Sequence, residues 1–208
     1  MVVEKIIAMS VLLAEHFLRR IAAREGRPVN LHIVEEIAER VSIPVQYGGG
    51  IRTLKDLEIL TSGSVGRFIV GTGAVVDEDF LDAAVKTAAG RLVVSVDAEA
   101  GMVVTHGWRE RSSVTSIHFA GYLREKGVSH IMYTDIERDG MMMGMNLEAV
   151  RELSGAVDLD IIASGGISSI DDLRRLREAG LENVSGVIVG RALYEGRFTI
   201  AEAREILA

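Results

Sequence analysis

The chain has 208 residues, 48% of them hydrophobic and 25% charged, which suffices for one sizeable core and a single globular domain. A net charge of -7, with Lys and Arg scattered among acids, excludes the clustered basic surface that nucleic acids require and leaves small molecules or other proteins as partners. The absence of cysteine excludes disulfides, thiolate nucleophiles and Cys-held metals, and the apolar run 6–14 is shorter than the roughly 20 residues that span a bilayer, so no membrane is implicated and the cytoplasm is the default compartment.

In chain order, residues 4–24 read as a helix. Ile6, Met9, Leu13, Phe17 and Ile21 recur at helical spacing, while Ile7, Val11, Leu12 and Leu18 make the segment apolar on further sides. Such a helix is either an ordinary internal helix or one buried on two sides, against the rest of the fold and against a second subunit, which would make the protein a homo-oligomer. Residues 28–41 predict a second helix, opened by Pro28 and Asn30 and carrying Leu31, Val34, Ile37, Ala38 and Val41 at helical spacing.

From Ser42 onward, short β-branched runs alternate with amphipathic stretches, the pattern of βα units around a parallel sheet buried on both faces. Six strands are predicted, over 44–47, 67–70, 92–96, 131–134, 160–163 and 186–189. Leu54, Leu57 and Leu60 share one helical face between the first two strands, as do Ile170, Leu173 and Leu176 between the last two. Two segments repeat: Val45-Gln46-Tyr47-Gly48-Gly49-Gly50-Ile51-Arg52 and Ile161-Ile162-Ala163-Ser164-Gly165-Gly166-Ile167-Ser168. Asp56-Leu57 and Asp172-Leu173 follow at equal distances, and each copy reaches a second strand ending in glycine, Val70-Gly71 or Val189-Gly190. Duplication of this kind is expected of a barrel built from similar halves.

Glycine at a strand end lets backbone N–H groups approach an anion, and a following helix start adds partial positive charge. One such pair of loops holds Gly49, Gly50 and Arg52 with Gly71, Thr72 and Gly73; the other holds Ser164, Gly165 and Gly166 with Gly190 and Arg191. These glycines serve either tight βα turns or two phosphates of one ligand, inorganic phosphate being the simplest occupant. Asp97 ends the buried run 92–96, where barrel active sites assemble, and Thr134, Asp135 and Asp139 follow the next strand. Two rim carboxylates can divide acid and base work, whereas Asp135 suits a turn or cap equally well. Trp108, in the loop after Asp97, either stacks on a planar ligand ring or anchors the loop. His32, His118 and His130 lack metal-ligand spacing, so no metal is expected, and Met141, Met142 and Met143 receive no role.

Pro44-Val45-Gln46-Tyr47-Gly48-Gly49-Gly50-Ile51-Arg52, Val94-Ser95-Val96-Asp97, Thr134-Asp135-Ile136-Glu137-Arg138-Asp139-Gly140 and Ala163-Ser164-Gly165-Gly166-Ile167-Ser168 together resemble the HisA-like isomerases of histidine biosynthesis, over about residues 26–208. HisF and the dual-substrate PriA share much of this pattern, but Gln46, Trp108 and Leu193-Tyr194-Glu195-Gly196 look closer to HisA and PriA. The resemblance implies an α/β fold of the TIM (β/α) barrel type and an Amadori rearrangement of bis-phosphorylated ProFAR to PRFAR without metal or organic cofactor. By that resemblance Asp97 matches the acid, Thr134 and Asp139 match substrate-facing positions, Gly50, Gly73, Gly166 and Gly190 lie in the two phosphate sites, and Trp108 packs on the substrate.

The family's opening Pro-Ala-Ile-Asp-Leu strand, which carries the base, and its second strand ending in Asp-Leu-Asp-Gly-Ala find no match here. The expectation is therefore an incomplete barrel of about six βα units preceded by amino-terminal helices, lacking the family's first two strands and impaired in activity. Residues 1–25 form its divergent amino end. The alternatives are a non-catalytic remnant that binds sugar phosphates or acts through assembly, and a different sugar-phosphate reaction at the altered site.

Overall fold

The computed structural model describes residues 6–9, 31–88, 90–105 and 110–208. Its elements are β1 (Ile6–Met9), α1 (Leu31–Arg40), β2 (Gln46–Gly48), α2 (Leu54–Ser62), β3 (Arg67–Val70), α3 (Thr72–Val76), α4 (Glu78–Ala88), β4 (Leu92–Glu99), β5 (Met102–Thr105), β6 (Glu110–Thr115), α5 (Ser116–Glu125), β7 (His130–Asp135), α6 (Leu147–Ala156), β8 (Asp160–Ser164), α7 (Ile170–Glu178), β9 (Val184–Val189), α8 (Arg191–Tyr194) and α9 (Ile200–Leu207). The sheet runs β1-β9-β8-β7-β4-β3-β2, with every neighbour in that order parallel. Among the described residues it is an open, incomplete barrel with β1 and β2 at its edges.

The alternation along each strand explains the layering. Phe68 and Val70 on β3, Val94 and Val96 on β4, Ile131 and Tyr133 on β7, Ile161 and Ala163 on β8, and Val187 and Val189 on β9 join one cluster with helical Leu57, Leu60, Leu81, Leu123, Leu153 and Leu173. Each of those leucines is at most 1% exposed, and burial of such a side chain stabilises by about 1.5–3 kcal/mol. The opposite face carries a smaller cluster of Ile69, Val93, Met132 and Ile162, with Ile188 against it. On that inner face the side chains turn polar toward the carboxyl ends of the strands, at Ser95, Asp97, Thr134 and Ser164.

Five of the six strands expected from Ser42 onward fall where the β-branched runs place them, and the sixth, β2, is shifted toward its glycines at Gln46–Gly48. The amino end differs from expectation. Ile6–Met9, expected as part of a helix over 4–24, is a strand whose Ile6 to Met9 register with Gly186 to Val189 of β9. A run apolar on all sides fits a parallel strand buried on both faces as well as a doubly buried helix, and periodicity does not separate the two. The remainder of the expected helix, and the subunit contact assigned to it, lies outside the described residues. The structure also adds an antiparallel hairpin, β5 with β6, that extends β4 through Ala98 opposite Val103 and Glu99 opposite Met102. The chain reverses at Ala100 and Gly101, with φ of 49° and 77°. Positive φ at both central positions is the geometry of a tight hairpin turn, here with alanine in a place that Asn or Asp more often fills.

The sequence repeat is a repeat of capping geometry. At the start of α2, Asp56 Oδ2 accepts the N–H groups of Thr53 at 3.0 Å and Arg52 at 3.3 Å, while Thr53 Oγ1 accepts the Asp56 N–H at 3.2 Å. At the start of α7, Asp172 Oδ2 accepts the N–H groups of Ser168 at 2.9 Å and Ser169 at 3.1 Å and the Ser168 hydroxyl at 2.9 Å. Arg175 donates to Asp172 Oδ1. Asp172 is 1% exposed. Burial pushes its carboxyl up, but the hydrogen bonds from Ser168, Ser169 and Arg175 prevail and hold it below the ordinary 3.8. Its folded-state value being depressed, the stability it contributes is present above 3.8 and is lost as pH falls below that value. Asp172→Ala is expected to cost about 2–4 kcal/mol in urea unfolding, because buried donors lose their acceptor, and to flatten that acid limb. Asp56→Ala, where water replaces the half-buried carboxylate, is expected to cost about 1 kcal/mol.

Candidate active site at the carboxyl edge of the sheet

Sheet register aligns three of the expected residues in one inward row: Asp97 of β4 lies opposite Thr134 of β7, and Thr134 lies opposite Ser164 of β8. Asp97 is half-buried, and the Ser95 hydroxyl, one inward position earlier on the strand, donates to its Oδ1 at 2.7 Å. That bond fixes the carboxyl's orientation and was not anticipated from sequence. Thr134 is buried, at 4% exposure. Asp139 lies half-buried in the loop that follows β7. Trp108 lies outside the described residues.

Asp135 takes the turn role rather than the catalytic one. It points to the opposite face from Thr134, is 6% exposed, and accepts the Glu137 N–H at 3.1 Å and the Asn146 amide at 2.8 Å. Asn146 in turn caps α6 through the Ala149 N–H at 3.3 Å. Tyr133 beside it is pushed up to about 12, first by burial and then by the Asp135 charge, so its phenol stays protonated and supplies no base at neutral pH.

The glycines divide into two kinds. Gly49 and Gly50 after β2 have φ of 121° and 73°, and Gly165 and Gly166 after β8 have φ of 93° and 83°, which repeats the turn in both halves. A Cβ on Gly165 would stand 2.5 Å from the Asp135 carbonyl oxygen, and one on Gly166 would stand 2.5 Å from that of Gly144. Packing against the loop after β7 therefore accounts for Gly165 and Gly166. Gly71 and Gly190 are different. They precede α3 and α8 with closely matched angles, φ -117° and ψ -102° against φ -108° and ψ -97°. A Cβ on Gly190 would meet nothing within 4 Å, and one on Gly71 would make only an ordinary contact at 3.7 Å with Ser95.

Neither position is crowded, and neither residue caps its helix with a side chain. The starts of α2 and α7, by contrast, are closed by Asp56 and Asp172. Each half thus has one helix start sealed by a carboxylate and one left without a side-chain cap. Arginine is distributed unevenly: Arg52 follows the glycines of the first half, whereas Arg191 opens α8 in the second. Gly73 packs tightly, since its Cβ would lie 3.0 Å from the Phe80 ring.

Parallel βα units in two repeated halves, with polar side chains gathered at the carboxyl ends of the strands, define a protein of the (β/α)-barrel class. Residues 15–199 match the model of the histidine biosynthesis protein family, and the chain belongs to that family. Among its relatives is a 1-(5-phosphoribosyl)-5-((5-phosphoribosylamino)methylideneamino) imidazole-4-carboxamide isomerase of Thermoanaerobacter pseudethanolicus, 46% identical over 184 residues that cover 88% of this chain and 76% of the relative. Isomerases of the same description from Ruminiclostridium cellulolyticum and Xanthobacter autotrophicus are 44% and 45% identical, covering 87% and 93% of this chain and 75% and 79% of their own lengths. β1 precedes the family match.

The two kinds of glycine respond differently to a methyl group. Gly166→Ala is expected to lower unfolding stability by about 2 kcal/mol or more, because a backbone oxygen blocks the new Cβ. Gly190→Ala is expected to change it by less than about 1 kcal/mol, as measured by urea denaturation.

Proposed function

We propose that the chain is a HisA-like phosphoribosyl isomerase that converts the bis-phosphorylated aminoaldose ProFAR into the aminoketose PRFAR, in the cytoplasm. The observation that carries this reading is the inward row of Asp97, Thr134 and Ser164, flanked by two repeat-related helix starts preceded by Gly71 and Gly190. Two anion-accepting sites related by the repeat suit a ligand with a phosphate at each end, and the row between them meets its reacting carbons.

The chemistry is a pair of proton transfers. Asp97, oriented by Ser95, protonates the ribose ring oxygen so that the ring opens; a base then takes the proton from C2, and reprotonation at C1 gives the ketose. Substrate and product are isomers, so the conversion needs no external oxidant or reductant. Thr134 hydrogen-bonds the sugar hydroxyls, and Asp139 takes the part of the base. A carboxylate on a loop is held less rigidly than one on a strand, which makes turnover slow. The second reading, a protein that binds sugar phosphates without turnover, is favoured by Asp97 being the one acid in the described inward row.

Purified protein supplied with ProFAR is expected to form PRFAR, and Asp97→Asn to reduce the rate about 10²- to 10⁴-fold with binding retained. Turnover indifferent to that substitution would refute the assignment of Asp97. Tight binding without product would establish the second reading.

A further inference from the structure

Arg191 opens α8, and its side chain remains 58% exposed although both ends of its guanidinium are engaged. Nε donates to Glu195 Oε1 at 2.7 Å, four residues on at the carboxyl cap of the helix, and Nη1 donates to the Gly140 carbonyl oxygen at 2.8 Å, across 51 residues of sequence. Glu195 also accepts from Arg197, at 3.4 and 3.3 Å. The Arg191 hydrogen bond, and after it that of Arg197, hold the Glu195 carboxyl below the ordinary 4.5, so the brace stays charged at neutral pH.

Gly140 is the neighbour of Asp139. The base of their loop is fixed independently: Asp135 binds Glu137 and Asn146, and Arg138 Nη1 donates to the Gly144 carbonyl at 3.1 Å. Its tip is built differently. Met141 and Met143 are 58% and 65% exposed, and Met142 adopts a φ of 56° that a non-glycine residue seldom takes. Met142 packs against the core and the Met141 N–H donates to the Arg138 carbonyl at 3.0 Å, while the hydrogen bond from Arg191 to Gly140 links the tip to α8. A planar guanidinium suits this task because it donates along two edges at once.

We propose that Arg191, braced by Glu195, is a positioning residue that holds the Gly140 carbonyl and thereby sets the place of Asp139, rather than serving as a ligand for phosphate. The proposal gives the isomerase reading a residue that acts through another one. Its kinetic consequence rests on that reading, whereas its structural consequence does not.

The test is amide hydrogen exchange of residues 136–145 in the full chain, together with titration by inorganic phosphate. Arg191→Met, which keeps the apolar stem and removes the donors, is expected to speed exchange of that segment about tenfold or more. Glu195→Gln should produce a smaller increase in the same segment, with exchange in β7 and β8 unchanged and phosphate affinity within about twofold. With ProFAR as substrate, kcat should fall while KM stays within about twofold. Unaltered exchange of 136–145, or a loss of phosphate affinity in Arg191→Met, would overturn the proposal. If no variant turns over ProFAR, exchange and phosphate titration still decide it.

Discussion

Asp172 sits beneath the second glycine loop with its carboxylate buried, receiving two backbone N–H groups, two hydroxyls and a guanidinium. Much of the site's geometry follows from that one acceptor. By drawing in the N–H groups of Ser168 and Ser169 it closes the start of α7, and Asp56 does the same for α2. The turn that leads into α7 holds Gly165 and Gly166 at positive φ, in contact with the carbonyls of Asp135 and Gly144. The loops after β7 and β8 thereby pack closely on one another, and the proposed reading assigns the anions to the other helix start of each half, after Gly71 and Gly190.

A parallel sheet that is apolar on both faces leaves few places for chemistry. Ile69, Val93, Met132 and Ile162 fill the middle of the inner face, and polar groups stand at its two ends, His130 and Asp160 at the starts of β7 and β8 and Asp97, Thr134 and Ser164 at the carboxyl ends. Register then decides which polar groups meet. Asp97, Thr134 and Ser164 belong to separate βα units, yet they stand side by side because β4, β7 and β8 are sheet neighbours in matched register. Polar side chains brought together from several strand ends are the common arrangement of active sites in (β/α) barrels.

What could be read from sequence was what depends on local pattern. The β-branched runs located β3, β4, β7, β8 and β9, and the repeated glycines marked both turns. Asp56 and Asp172 stood out as equally spaced, but their capping role lay in the Thr53-to-Asp56 and Ser169-to-Asp172 spacing, which the repeat overshadowed. β1 was misread because apolarity on every side suits a buried strand and a buried helix alike. The β5–β6 hairpin was missed because alanine at position 100 hides a turn that Asn or Asp would announce. Arg191 illustrates what a sequence cannot show: beside a glycine at a helix start it reads as an anion ligand, and only the fold brings Gly140 within its reach.

The claim on which the functional reading depends is that the helix starts after Gly71 and Gly190 are a matched pair of anion sites. Calorimetric titration addresses it directly, first with inorganic phosphate and then with a bis-phosphorylated ribosyl ligand. Two phosphates per chain are expected, with the bis-phosphorylated ligand binding one-to-one and displacing both, and with Gly71→Ala and Gly190→Ala each removing one. A single phosphate per chain, or two that neither substitution disturbs, would contradict it.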